Sequence, residues 1–97
     1  MYATVRQYTH LEPETYDELL GRQGEIEALL RGVPSFYAYY MLRTPEGLTT
    51  VTICTAEAGT AESNRRVARW VAEELSSFLP RPPDIAAGEV IMHFAAP

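Results

Sequence analysis

Residues 35–55 read SFYAYYMLRTPEGLTTVTICT, and this stretch decides the fold. Segment 35–43 is dense in aromatics and segment 48–55 in β-branched residues, the two classes that suit strands. Between them Thr44-Pro45-Glu46-Gly47 puts Pro early and Gly late, which is turn chemistry. Two strands joined by so short a link pair antiparallel. Upstream, residues 2–10 (YATVRQYTH) hold no Gly or Pro and read as another strand. A helix is expected from Glu12-Pro13, since Pro suits the first helical position and Glu14, Asp17 and Glu18 favour its positive end. Tyr16, Leu19, Leu20, Ile26 and Leu30 recur at helical spacing until Gly32 and Pro34 end it. Downstream, a second helix is expected from Thr60 or a neighbour to about Leu79, with Val67, Val71, Leu75 and Phe78 as its buried stripe. Pro80, Pro82 and Pro83 stop it, and residues 88–94 (GEVIMHF) read as the last strand. The order strand, helix, strand, strand, helix, strand predicts one α+β domain over residues 1–97. It is of the ferredoxin-like βαββαβ type, a four-stranded antiparallel sheet with both helices on one face.

Composition narrows the function classes. Apolar residues make up 46% of the chain, which argues against disorder. No apolar run approaches the roughly 18 residues of a membrane span. MYATVRQY lacks the basic-then-apolar pattern of a signal peptide, so the expected compartment is the cytoplasm, with no membrane partner. Thirteen acids against eight bases give −5, and every base is Arg. That balance is a poor match for nucleic acid, whose binding depends on neutralising phosphates. Arg65, Arg66 and Arg69 cluster, but Glu62 and Glu73 sit at pairing distance along the helix, as on a solvated face. Cys54 is the only cysteine, and His10 and His93 lie far apart without a ligand motif. No metal and no cofactor is therefore implied.

The alternation within the strands divides the side chains into two sets. Ala3, Val5, Phe36, Ala38, Tyr40, Leu42, Val51, Ile53, Val90, Met92 and Phe94 are nearly all apolar, as expected of the face under the helices. The other set, which includes Arg6, Tyr8, Tyr37, Tyr39, Met41, Ile91 and His93, is mixed and carries large aromatics rather than Lys and Glu. Four strands expose a face of roughly 400 Å². A patch of that size on a monomer commonly marks a contact. The chain is therefore expected to form a homodimer through that second face, with those seven residues as the interface.

MYATVR followed by Tyr8, VPSFYAYY at 33–40, and ESNRRVARWVAEELSSFLPRPPDIAAGEV at 62–90 resemble small bacterial proteins of the antibiotic biosynthesis monooxygenase-like group, in the dimeric α/β-barrel superfamily. The likeness spans nearly the whole chain and is closest to members without an assigned function. It implies a dimeric barrel. Relatives include cofactor-free monooxygenases of phenolic compounds, haem degraders and small-molecule binders, so the resemblance does not choose a reaction. The haem degraders use a helix His, and neither histidine here falls on an expected helix.

Asn64 lies in the buried stripe of the second helix. It reads either as a hydrogen-bond donor in a cavity between helix and sheet, or as an amide bonding nearby backbone. Gln23 and Glu27 fall in the first helix's apolar stripe, and Tyr40 is expected to point at the helices; all three are candidates to line the same pocket. Trp70 resembles, by general location, the Trp beside Asn in the monooxygenases. Its spacing nevertheless sets it about 240° from Asn64 around the helix, where it also reads as a packing residue. No nucleophile–base pair or Gly-rich phosphate loop is present. Two functions follow: a dimeric module that binds a small aromatic molecule or a partner, or a cofactor-free monooxygenase acting on a phenol or quinol.

Overall fold

The computed structural model describes all 97 residues. Its elements are β1 (Tyr2–Thr9), α1 (Glu14–Gly21), α2 (Gln23–Arg31), β2 (Phe36–Thr44), β3 (Gly47–Cys54), α3 (Glu57–Glu74) and β4 (Asp84–Glu89). The sheet runs β2-β3-β1-β4 and every neighbouring pair is antiparallel, which is the ferredoxin-like α+β order. The β2–β3 hairpin forms where the turn chemistry puts it. Gly47 stands at φ 153°, and a Cβ there would strike the Tyr8 carbonyl oxygen, so only glycine fits. No helix is long and apolar enough to cross a membrane.

Three helices replace the expected two. The first breaks at Arg22 (φ −106°, ψ 19°), whose backbone N–H turns back to the Leu19 carbonyl at 3.1 Å. Gly21 and Gly24 flank the break and weaken the helix there. The Arg22 guanidinium clamps the corner, reaching Glu18 at 2.6 Å and Glu25 at 3.3 Å. α3 starts earlier than Thr60 and ends at Glu74 rather than Leu79. Leu75 leaves the helix (φ −131°), and a turn closed by Leu79 N–H to Leu75 C=O at 2.8 Å swings both leucines into the core. That core gathers Tyr8, Leu19, Leu48, Leu75 and Leu79, with Trp70, Ile26 and Phe78 packed around it.

The last strand is Asp84–Glu89, not 88–94. β4 pairs with β1 from Gln7↔Asp84 to Tyr2↔Glu89, and one further bond joins Val90 N–H to the Met1 carbonyl. Beyond that no strand lies opposite, so the more strongly β-forming Ile91-Met92-His93-Phe94 is left outside the sheet. Register outweighs propensity here.

The two faces of the sheet are exchanged relative to the expectation. Thr4, Arg6, Tyr8, Leu48, Thr50, Thr52 and Cys54 are the strand residues whose side chains are buried. Tyr39 pairs with Thr52 and Met41 with Thr50, so both lie on that same helix-covered side. Ala3, Val5, Ala38, Tyr40, Leu42, Val51 and Ile53 form the bare side. Strand alternation fixes only that the sets oppose each other. The apolar pattern predicts that set under the helices, but the polar one is what the helices cover.

A cavity floored by a buried arginine

The centre of the covered layer is Arg6, on β1 and only 1% exposed. Its Nη1 donates to Thr50 Oγ1 at 3.3 Å and Thr52 Oγ1 at 3.0 Å, both on β3. Its Nη2 donates to Ser63 Oγ on α3 at 3.0 Å, and that hydroxyl in turn donates a hydrogen bond to the Thr60 carbonyl at 2.8 Å. One residue further on, Thr4 Oγ1 lies 3.2 Å from Asn64 Oδ1 and 3.1 Å from Asn64 Nδ2, holding the amide side-on. The pattern of hydroxyl-bearing side chains at alternate strand positions, facing a Ser-Asn pair on the helix, therefore builds a polar layer where a core would normally be apolar. Gly59 lets α3 come that close, since a Cβ there would meet Ser35 Oγ and the Cys54 side chain.

Beside this layer, between α3, the Pro80–Pro83 segment and the β1–β4 edge, opens a cavity of about 400 Å³. Sites for small molecules are commonly about 300–1,000 Å³. Arg6, Tyr8, Asn64, Ser76 and Arg81 supply its polar surface, while Val67, Val71 and Ile85 supply apolar wall. Burial pushes the Tyr8 phenol up from the ordinary value, with the Arg6 charge pulling the other way, and pushes Tyr39 up to about 12. Burial also lowers Arg6, a group that stays charged at neutral pH regardless.

The expected pocket residues scatter. Asn64 lines the cavity. Gln23, Glu27 and Tyr40 instead border a separate groove of about 590 Å³ between α1–α2 and β2. Tyr40 borders it from β2 but alternates onto the bare side of the sheet and is exposed, and Glu27 is engaged by Arg31 at 2.7 Å. Trp70 lines neither; it caps the core and donates its indole N–H to Glu25 at 3.2 Å. Of the expected interface residues, Arg6, Tyr8, Tyr39 and Met41 sit under the helices. Tyr37 is exposed at the register shift between Phe36 and Ala38, and Ile91 and His93 lie beyond β4. No group of three or more His, Cys, Asp or Glu side chains comes together, and no helix carries a histidine. Arg6, Thr4 and Ser63 are the residues that sequence reasoning misplaced or passed over. The signal was available: β-branched hydroxyls with one Arg, and no Lys or Glu, is the make-up of a buried polar layer rather than a wet surface.

No family model matches the sequence, and no curated protein matches it. Solved structures do match in three dimensions. A protein of unknown function from Nitrosomonas europaea superposes with TM-score 0.72 at 17% identity, over 99% of this chain and 93% of that one. A monooxygenase from Streptomyces coelicolor, in complex with the ligand nanaomycin D, gives 0.67 at 17%, over 99% and 91%. The heme-degrader MhuD from Mycobacterium tuberculosis, with two hemes in its active site, gives 0.70 at 15%, over 98% and 100%. The fold is that of antibiotic biosynthesis monooxygenase-like proteins. Within this antibiotic biosynthesis monooxygenase-like fold, proteins of known activity and of unknown function share one scaffold, so the cavity and not the fold must carry the functional argument.

Proposed function

We propose that this chain is a homodimeric α/β-barrel protein that binds a small aromatic molecule in the cavity under α3. One observation carries the reading: a helix-covered layer that holds buried Arg6 and Tyr8 and half-buried Asn64 beside about 400 Å³ of open space. A layer meant only for stability would be apolar, because each buried polar group costs free energy unless it is matched. The dimer reading draws on the opposite face. Tyr40 is 58% exposed and stands among Ala3, Val5, Leu42, Val51 and Ile53 with no helix above them, and only 17 of 97 residues are buried in one copy. A second copy related by a two-fold axis would cover that face. The single-domain reading of residues 1–97 belongs to the same proposal, as does a cytoplasmic location.

A second reading is favoured by the likeness to the nanaomycin-bound monooxygenase: oxidation of a phenol or quinol by O₂ without metal or flavin. The substrate's own electrons would reduce O₂, one oxygen atom entering the ring and the other leaving as water. Arg6 and Asn64 would stabilise the substrate anion.

Native mass spectrometry together with light scattering tests the first reading. A particle of twice 10.9 kDa with a copurified or added aromatic ligand is expected, and Val51→Asp should give single chains. A monomer that binds nothing across a broad aromatic panel would remove the reading. Oxygen uptake with quinols that falls in Asn64→Ala would add the enzymatic one.

A further inference from the structure

We infer that the molecule taken up under α3 is an organic anion, an aromatic carboxylate whose negative group is set toward Arg6. This rests on the cavity reading above and goes beyond it by fixing the ligand's charge. A guanidinium has five N–H donors. Arg6 uses three, all on neutral hydroxyls, and its Nε–H has no partner at all. None of the protein's ion pairs includes Arg6. Its aromatic neighbours Tyr8 and Tyr39 do not supply negative charge at neutral pH, since burial holds both phenols protonated. A charge taken from water without a counter-ion is among the costliest arrangements a fold can hold, and buried charges are accordingly found paired. Here the protein provides no pair.

The walls agree. The chain carries thirteen acidic residues, yet none lines this cavity, while a second arginine, exposed Arg81, stands at its rim without an acidic partner. An anion thus enters a locally positive, acid-free opening on a molecule that is negative overall. Val67, Val71 and Ile85 offer an apolar surface for the ring, and Asn64 Nδ2 offers a donor on the wall next to Arg6. Nε itself is sealed from solvent, so the Arg6 charge acts on the anion through space.

The test compares 2-naphthoate with its neutral isostere 2-naphthamide by calorimetry at pH 7. The wild-type protein should prefer naphthoate by about ten-fold or more, the usual size of a charge-assisted contact. Arg6→Met should abolish the preference while keeping naphthamide binding, and Arg6→Lys should retain much of it. Equal affinities in the wild type, a comparison that needs no variant to fold, would overturn the anion inference and leave the cavity reading standing. Binding of neither compound at millimolar concentration would overturn both.

Discussion

Replacing Gly59 by alanine probes how tightly α3 is seated over the polar layer. In a free helix the change would stabilise by up to about 1 kcal/mol, since glycine is the poorer helix former. In this position the new Cβ meets Ser35 Oγ at sub-contact range, Cys54 Cβ at 2.9 Å and Cys54 Sγ at 3.0 Å. Neither neighbour is a long flexible side chain that can swing aside. Ser35 is held at φ 70°, a left-handed conformation that already costs an L-residue about 1–2 kcal/mol, and Cys54 is fully buried in β3. Overpacking of this kind costs about 1–3 kcal/mol. The clash therefore wins, and Gly59→Ala should be less stable by about 1–2 kcal/mol. For a domain of this size that lowers Tm by about 4–16 °C. Ser63 follows one turn later, so a lifted helix also lengthens the hydrogen bond from Arg6. Ser35→Gly removes the nearest obstruction and the left-handed strain together, and should recover part of the loss in the double variant while the Cys54 contact keeps the remainder. Thermal and urea unfolding of the four proteins at one fixed concentration completes the cycle. A Gly59→Ala protein as stable as the wild type, or one indifferent to Ser35→Gly, would refute the close seating of α3.

Leu75→Ala removes a side chain with no exposed surface from the cluster of Tyr8, Leu19, Leu48 and Leu79, and should cost about 2–5 kcal/mol in denaturant unfolding; a loss under about 1 kcal/mol would mean the core has been misplaced. Tyr39, raised by burial from 10.0 to about 12, favours the folded state fully below pH 10 and loses that contribution as pH climbs through 12. Tm measured from pH 9 to 12 should therefore fall more steeply in the wild type than in Tyr39→Phe, and parallel slopes would count against a buried phenol.

How much of this was legible beforehand differs by level. The hairpin 35–55 and the order of the strands could be read because turn residues and strand formers alternate plainly there. The ends of elements could not. β4 is built from Asp-Ile-Ala-Ala-Gly-Glu, a run with little strand propensity, and is held by its ladder to β1 alone. The break at Arg22 was masked because the apolar periodicity continues across it. The largest miss, the exchange of the two faces, came from equating apolar with covered. Arg6, Thr50 and Thr52 are polar because they are hydrogen-bonded together in a buried layer, and Val51, Ile53 and Leu42 are apolar without any cover from their own chain. Asn64 does face the sheet, at Thr4, because a residue's position around a helix depends only on periodicity within one element. Gln23, Glu27 and Trp70 needed the packing between elements, which periodicity does not contain.

The register shift at Phe36/Ala38 has a bearing on colloidal behaviour. β2 is an outer strand, and outer strands are templates on which further chains can stack without limit. The irregularity around Tyr37 spoils the even spacing of free amides and carbonyls that an arriving strand would need. On the opposite border, β4 is only six residues long and begins and ends in a carboxylate. Growth along the hydrogen-bonding direction is thus blocked on both flanks. The oily side of the sheet can stay uncovered by its own helices without turning the protein into a fibre-former.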